Sequence, residues 1–216
     1  MKKIFCITAV LFTMLAFLCG CQKSVDYCSY ISEKRTDIYL YSNDGLEIKI
    51  YLSEKENPYN ADGIKGEMTT LTEIFVKFPK NPEEVNISVG GTENEMSYRA
   101  VENEYYLSLS SCGISGESAT VTLSCDGESN SYTAMNVKDD GVMTCENAVK
   151  CVMEHNPDLF TSLTENRIFK GEIYVRLLYD EGCYYYVGVC DRDKNIDAYL
   201  VDGVRGKIIA NKKTST

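Results

Sequence analysis

From residue 37 onward the chain alternates apolar and polar side chains in short runs, the period of strands half-buried against a core. Residues 37–41 lead into Ser42-Asn43-Asp44-Gly45 and then into a second run over 46–52. Asp-Gly between two β-rich runs predicts a tight hairpin, because glycine accepts a positive φ. After a loop over 57–66, residues 67–78 read as a strand with Leu71, Ile74, Val76 and Phe78 on its apolar side, stopped by Pro79 and Pro82. Further strands are predicted over 84–89, 95–101, 105–110, 119–125 and 131–137, with glycine-bearing turns between them. So many short strands with no helical period predict an antiparallel, immunoglobulin-like β-sandwich over 37–138. That expectation rests on architecture, since the chain has no Trp for the Cys…Trp…Cys signature.

The period changes after Asp139-Asp140-Gly141. Thr144 is a good helix N-cap, Glu146 suits the first turn, and Cys145, Ala148, Val149 and Val152 fall at i, i+3, i+4 and i+7. The helix is predicted to run to His155 and halt before Pro157, with one more turn over 158–163. Strands over 171–179, 183–190 and 196–202 follow, then a short one over 207–210 and a fraying tail over 211–216. A helix covering a three- to four-stranded antiparallel sheet makes 142–210 an α+β unit, and the whole chain mainly β with α+β.

This second segment resembles the PepSY-like domains of exported bacterial proteins. The matching residues are Tyr184-Tyr185-Tyr186-Val187-Gly188-Val189, Leu200-Val201-Asp202-Gly203 and Gly206-Lys207-Ile208-Ile209, with Tyr where the family's middle strand carries Trp. The resemblance spans residues 144–210. It implies a helix followed by three strands, and an association with protease propeptides and peptidase restraint.

Before the strands lies a segment of another kind. Lys2 and Lys3 precede an uncharged run over 4–18, the layout of a signal peptide, and that run is short for a bilayer span. It ends in Leu18-Cys19-Gly20-Cys21, which resembles the lipobox of bacterial lipoproteins. The resemblance implies that residues 1–20 are removed and that Cys21 takes a diacylglyceryl group. The protein would then face outward from the cell membrane, anchored by lipid, with 21–36 as a tether. Two acyl chains hold stably where one, at about 0.8 kcal/mol per buried CH₂, is marginal.

Removing 1–20 takes away two lysines and no acid, leaving 20 basic against 32 acidic side chains, a net of −12. Such a chain has no bulk attraction for nucleic acid and is repelled by an anionic membrane surface, so the lipid must do the anchoring. Seven cysteines remain besides Cys21: Cys28, Cys112, Cys125, Cys145, Cys151, Cys183 and Cys190. Their number is odd and no pairing follows from it; they read mostly as free, small hydrophobes.

No catalytic constellation emerges. His155 is the sole histidine, and it reads as a basic group at a helix C-terminus. Asp191, Asp193, Asn195, Asp197 and Asp202 have the spacing of a calcium loop, but Ile196 stands where the turn wants Gly; they read as an acidic turn. Gly90-Gly91 lacks the Lys-Ser/Thr of a phosphate loop, and neither cofactor nor metal is expected. The remaining oddity is 16 Tyr. Alternation puts Tyr174 and Arg176 on one face of their strand, and Tyr184 and Tyr186 on one face of the next. A face carrying Tyr174, Arg176, Tyr184 and Tyr186 has the chemistry of a protein or peptide interface. The expected function is a non-enzymatic, lipid-anchored interaction module of the cell envelope; the rival is an envelope hydrolase with an atypical acid pair or Ser/Lys site.

Overall fold

In chain order, a 3₁₀ turn (Tyr27–Tyr30) leads into β1 (Ile31–Asn43), β2 (Leu46–Asn57), β3 (Glu67–Lys77), β4 (Asn86–Val89), β5 (Thr92–Glu95) and β6 (Ser97–Arg99). β7 (Glu104–Leu109), β8 (Ser118–Cys125) and β9 (Glu128–Asn136) complete the first half. The second half holds α1 (Cys145–His155), α2 (Pro157–Ser162) and the two-residue strands β10 (Thr164–Glu165) and β11 (Ile168–Phe169). It ends with β12 (Glu172–Tyr179), β13 (Cys183–Cys190), β14 (Ile196–Asp202) and β15 (Ile208–Thr214). This computed structural model describes residues 25–57 and 61–214, so segment 1–20 and Cys21 lie outside the described residues. The chain is mainly β, and nearly all its strand pairs are antiparallel.

β1 joins the halves. Along its length it pairs with β2 through the predicted hairpin, whose Asp44 and Gly45 take φ of +49° and +82°. On its other edge the first part pairs in parallel with β12, from Ile31↔Ile173 to Arg35↔Arg176. A bulge between Arg35 and Asp37 then shifts the register, and Tyr39 and Leu40 pair with β9. One hydrogen-bonded sheet therefore runs from β15 through β12, β1 and β2 to β6, with β9, β8, β4 and β5 branching off β1. The parallel pairing was not expected from the alternation, which reported strands but not their neighbours.

Two polar stretches turn out to be strand. Residues 31–36, expected as the end of a tether, are the first half of β1, with Ile31, Ser32 and Glu33 buried. Residues 211–214, expected to fray, continue β15 along β14, where Lys213 and Asp197 are paired in register and their side chains meet at 3.4 Å. The strand predicted over 95–101 is broken at Met96. That buried side chain turns into the core, and its N–H donates to the Val85 carbonyl at 2.9 Å. The chain thereby bends from the wall of β4 and β5 into the wall of β6 and β7. The first half is thus a near-barrel in place of two separate sheets. Ile48, Ile50, Ile74, Ile87, Val121 and Leu123 fill it.

In the second half, α1 lies across the sheet as its periodicity requires. Cys145, Ala148, Val149 and Val152 are all buried against Ile173, Val175, Leu177, Tyr185 and Val187. Thr144 caps its start by accepting from the Asn147 N–H at 3.3 Å. Asn156 ends it and begins α2: its side chain accepts from Leu159 N–H and donates to the Tyr199 hydroxyl at 2.8 Å. Pro157 at the first helical position therefore restarts a helix in a new direction. Strand alternation lets β1 feed both cores, with Ile38 in the second and Tyr39 in the first.

Candidate partner-binding face

Alternation along β12 and β13 sends Ile173, Val175, Leu177, Tyr185 and Val187 under the helices. The intervening residues point away from them, to a side over which no helix packs among the described residues and whose far end, at Glu172 and Cys190, is buried. Tyr174, Arg176 and Tyr186 come together there. Gly188 is the reason they can: a Cβ at this position would sit 3.0 Å from the Tyr186 hydroxyl and 3.2 Å from the Tyr174 ring, so both rings lie over bare backbone. Tyr184 shares the face but stands apart, its hydroxyl close to Gly182 at the turn.

The arrangement extends well past the predicted residues. Arg176 sits 5.9 Å from the Tyr186 ring centroid and grips Glu33 of β1 with two hydrogen bonds, at 2.5 and 3.2 Å. Lys55 of β2 approaches the same carboxylate at 3.8 Å. Next along β1, the Arg35 guanidinium lies 4.1 Å above the Tyr51 ring. Tyr51 meets Phe75 of β3 at 5.3 Å, and Phe75 meets Tyr106 of β7 at 5.1 Å. Arg99 of β6 then covers Tyr106 at 5.4 Å. A strip of aromatic rings and guanidinium groups therefore crosses seven strands, on the helix-free face of β12 and β13 and on the outside of the barrel. Its N-terminal members were missed in the sequence. They alternate with core residues just as Tyr174 and Arg176 do, but nothing local says that β1 lies beside β12.

The strip's tyrosines are half-exposed, offering flat apolar area with a polar rim. Burial lowers the pKa of Arg35, and its Nε has no hydrogen-bond partner among the described residues. At one end of the strip, Glu172 is 1% exposed and accepts from the Tyr174 hydroxyl at 2.9 Å. Its other oxygen has no hydrogen-bond partner among the described residues, and burial pushes the carboxyl upward against the opposing pull of the Lys194 charge, with Glu56 and Asp62 adding to the rise.

The other candidates find structural explanations. Asp191 accepts from the Asn195 side chain and from the Asp193 and Asn195 N–H groups, each at 2.9 Å, which holds its carboxyl below the usual range. It organises its own turn. His155 is exposed at the end of α1, its ring edge-on to Tyr199 at 6.1 Å. Cys145 lies under the sheet against the Arg35 carbonyl, where burial drives its thiol up to about 12. The seven described cysteines are unpaired. The neighbouring acids Glu83 and Glu84, and likewise Asp139 and Asp140, are exposed.

No protein-family model, curated protein or solved structure matches this chain. Among the described residues, no helix is long and apolar enough to cross a membrane.

Proposed function

We propose that this protein is a lipid-anchored, non-enzymatic module of the cell envelope that engages a protein or peptide through its Tyr/Arg strip. In finer terms, the near-barrel is a variant of the immunoglobulin-like sandwich and the second half is a PepSY-like unit. The observation that carries the binding reading is the strip itself: Tyr186, Arg176, Arg35, Tyr51, Phe75, Tyr106 and Arg99 follow one another across seven strands, with the tyrosines half-exposed. Interfaces are enriched in Tyr and Arg because each joins a large contact area with directional hydrogen bonding. The anchor is supported by the lipobox-like run ending at Cys21.

The test uses a soluble Cys21→Ser form as bait for cell-envelope proteins, with binding of each captured protein then measured directly. A true partner binds at micromolar concentration or tighter, and Tyr51→Ala with Tyr186→Ala weakens it about tenfold or more, the cost of losing one hot spot. Binding that ignores both substitutions, or no partner at all, defeats the proposal.

A further inference from the structure

The described chain begins at Val25, and only Gln22, Lys23 and Ser24 separate it from Cys21. Four residue steps span at most about 14 Å of extended chain. A lipid on Cys21 therefore holds the bilayer surface close to whatever part of the fold receives Val25. Val25 and Tyr27 pack on the second core, and the Tyr27 ring meets Phe160 at 5.1 Å and Phe169 at 5.4 Å. The Tyr27 hydroxyl reaches Thr164 at 3.2 Å. The chain thus arrives at α2 and the β10–β11 hairpin.

That end of the molecule exposes two large aliphatic side chains. Ile168 of β11, next to Phe169 in sequence, is 40% exposed, and Ile64 in the neighbouring loop is 74% exposed. The loop lies against the hairpin: a Cβ on Gly63 would sit 2.3 Å from the Ile168 side chain, and Lys170 Nζ donates to the Asp62 carbonyl at 2.9 Å. The bases Lys65, Arg167 and Lys170 balance the acids Asp62, Glu67 and Glu165 along the two segments, so this end escapes the repulsion that the acidic remainder would feel at an anionic surface. By contrast, the turns at the opposite end of the strands, Asp44-Gly45 and Asp180-Glu181-Gly182, carry acids and no base.

We propose that loop 61–66 and the β10–β11 hairpin rest on the lipid bilayer, with Ile64 and Ile168 entering the boundary between headgroups and acyl chains. The inference rests on the lipid-anchor reading of Cys21 and adds an orientation to it. β1 rises from this end, and its 13 residues, at roughly 3.3 Å each, carry the β1–β2 turn some 40 Å from the surface. The Tyr/Arg strip then stands on the flank of an upright molecule, open to a partner approaching along the membrane.

The absence of Trp gives a clean assay. The full lipidated chain carrying Ile64→Trp, Ile168→Trp or Val101→Trp is reconstituted into phosphatidylethanolamine/phosphatidylglycerol vesicles, with and without bromine on the acyl chains. Val101 is 94% exposed in the β6–β7 turn and serves as the reference. The Ile64→Trp and Ile168→Trp forms should shift to blue emission and lose about half their intensity or more to bromine, as for a side chain ~5–10 Å into the boundary. Val101→Trp should do neither. If the protein floats with vesicles but both reporters behave like Val101→Trp, the surface assignment is wrong and the anchor stands. If the chain does not float and mass spectrometry finds Cys21 unmodified, the anchor falls and the orientation falls with it.

Discussion

Three consecutive tyrosines on β13 meet opposite fates. Tyr185 is fully buried under α1 and donates to the Met143 carbonyl at 2.6 Å, while Tyr184 and Tyr186 stand half-exposed on the other side of the same strand. Residue type is constant, so the difference belongs to the face. One face is packed by helices and holds a core; the other is free of helices and carries half-exposed rings. The sharpest way to break the comparison is to truncate each ring. Tyr185→Ala should cost about 3–5 kcal/mol, through the cavity and the unpaired carbonyl. Tyr186→Ala should cost under about 1 kcal/mol, as for a partly exposed side chain. Urea unfolding followed by circular dichroism measures both. Equal losses would mean that the strip is structural.

The next largest effect is expected where the strip crosses from one half to the other. Glu33 is buried at the β1–β12 seam and owes its satisfaction to the Arg176 fork, with Lys55 as a looser second cation. Arg176→Ala should therefore cost about 1–2 kcal/mol, discounted because the guanidinium is partly in water. Arg176→Lys should recover little, since an ammonium cannot make the two parallel bonds. The exposed Arg99–Glu102 pair, at 2.7 Å, is the control: Glu102→Ala should change stability by no more than about 0.5 kcal/mol. A seam variant as mild as this control would mean that the parallel pairing needs no help from the ion pair.

What the alternation made legible was local. The Asp44-Gly45 hairpin, the four buried positions of α1 and the shared face of Tyr174 and Arg176 follow from periods of 2 and 3.6 residues and from turn chemistry. What it hid was long-range. Glu33 and Arg176 lie 143 residues apart, and the run Ser-Glu-Lys-Arg-Thr over 32–36 has no apolar face to announce a strand. Its charge is compensated only in the folded sheet. The same holds for the strip: each ring could be assigned to a side of its own strand, but only the β1–β12 pairing lines them up. Met96 adds a third case, since a corner between two walls looks like strand on both sides.

The smallest predicted effect tests the two faces by pH. Glu172 lies at the end of β12 where the helix-free face is buried, and that burial raises its carboxyl above the usual 4.5 despite the opposing charge of Lys194. Tyr174 satisfies one oxygen and nothing among the described residues satisfies the other. Below pH 4.5 the group is protonated whether the chain is folded or not, and it imposes no penalty. As pH rises past that point, the unfolded chain ionises while the folded one holds its proton, so stability falls until the folded group also ionises. Glutamine keeps the shape and the acceptor for Tyr174 and resembles the protonated acid. Glu172→Gln should therefore stabilise the protein by about 1 kcal/mol at pH 7, the scale of one unsatisfied buried acceptor. The gain should vanish by about pH 4, near the ordinary glutamate range. Denaturation midpoints of both forms across that range decide it. A loss at pH 7, or a gain that persists in acid, would show that the carboxylate is held charged by a partner that its buried setting conceals.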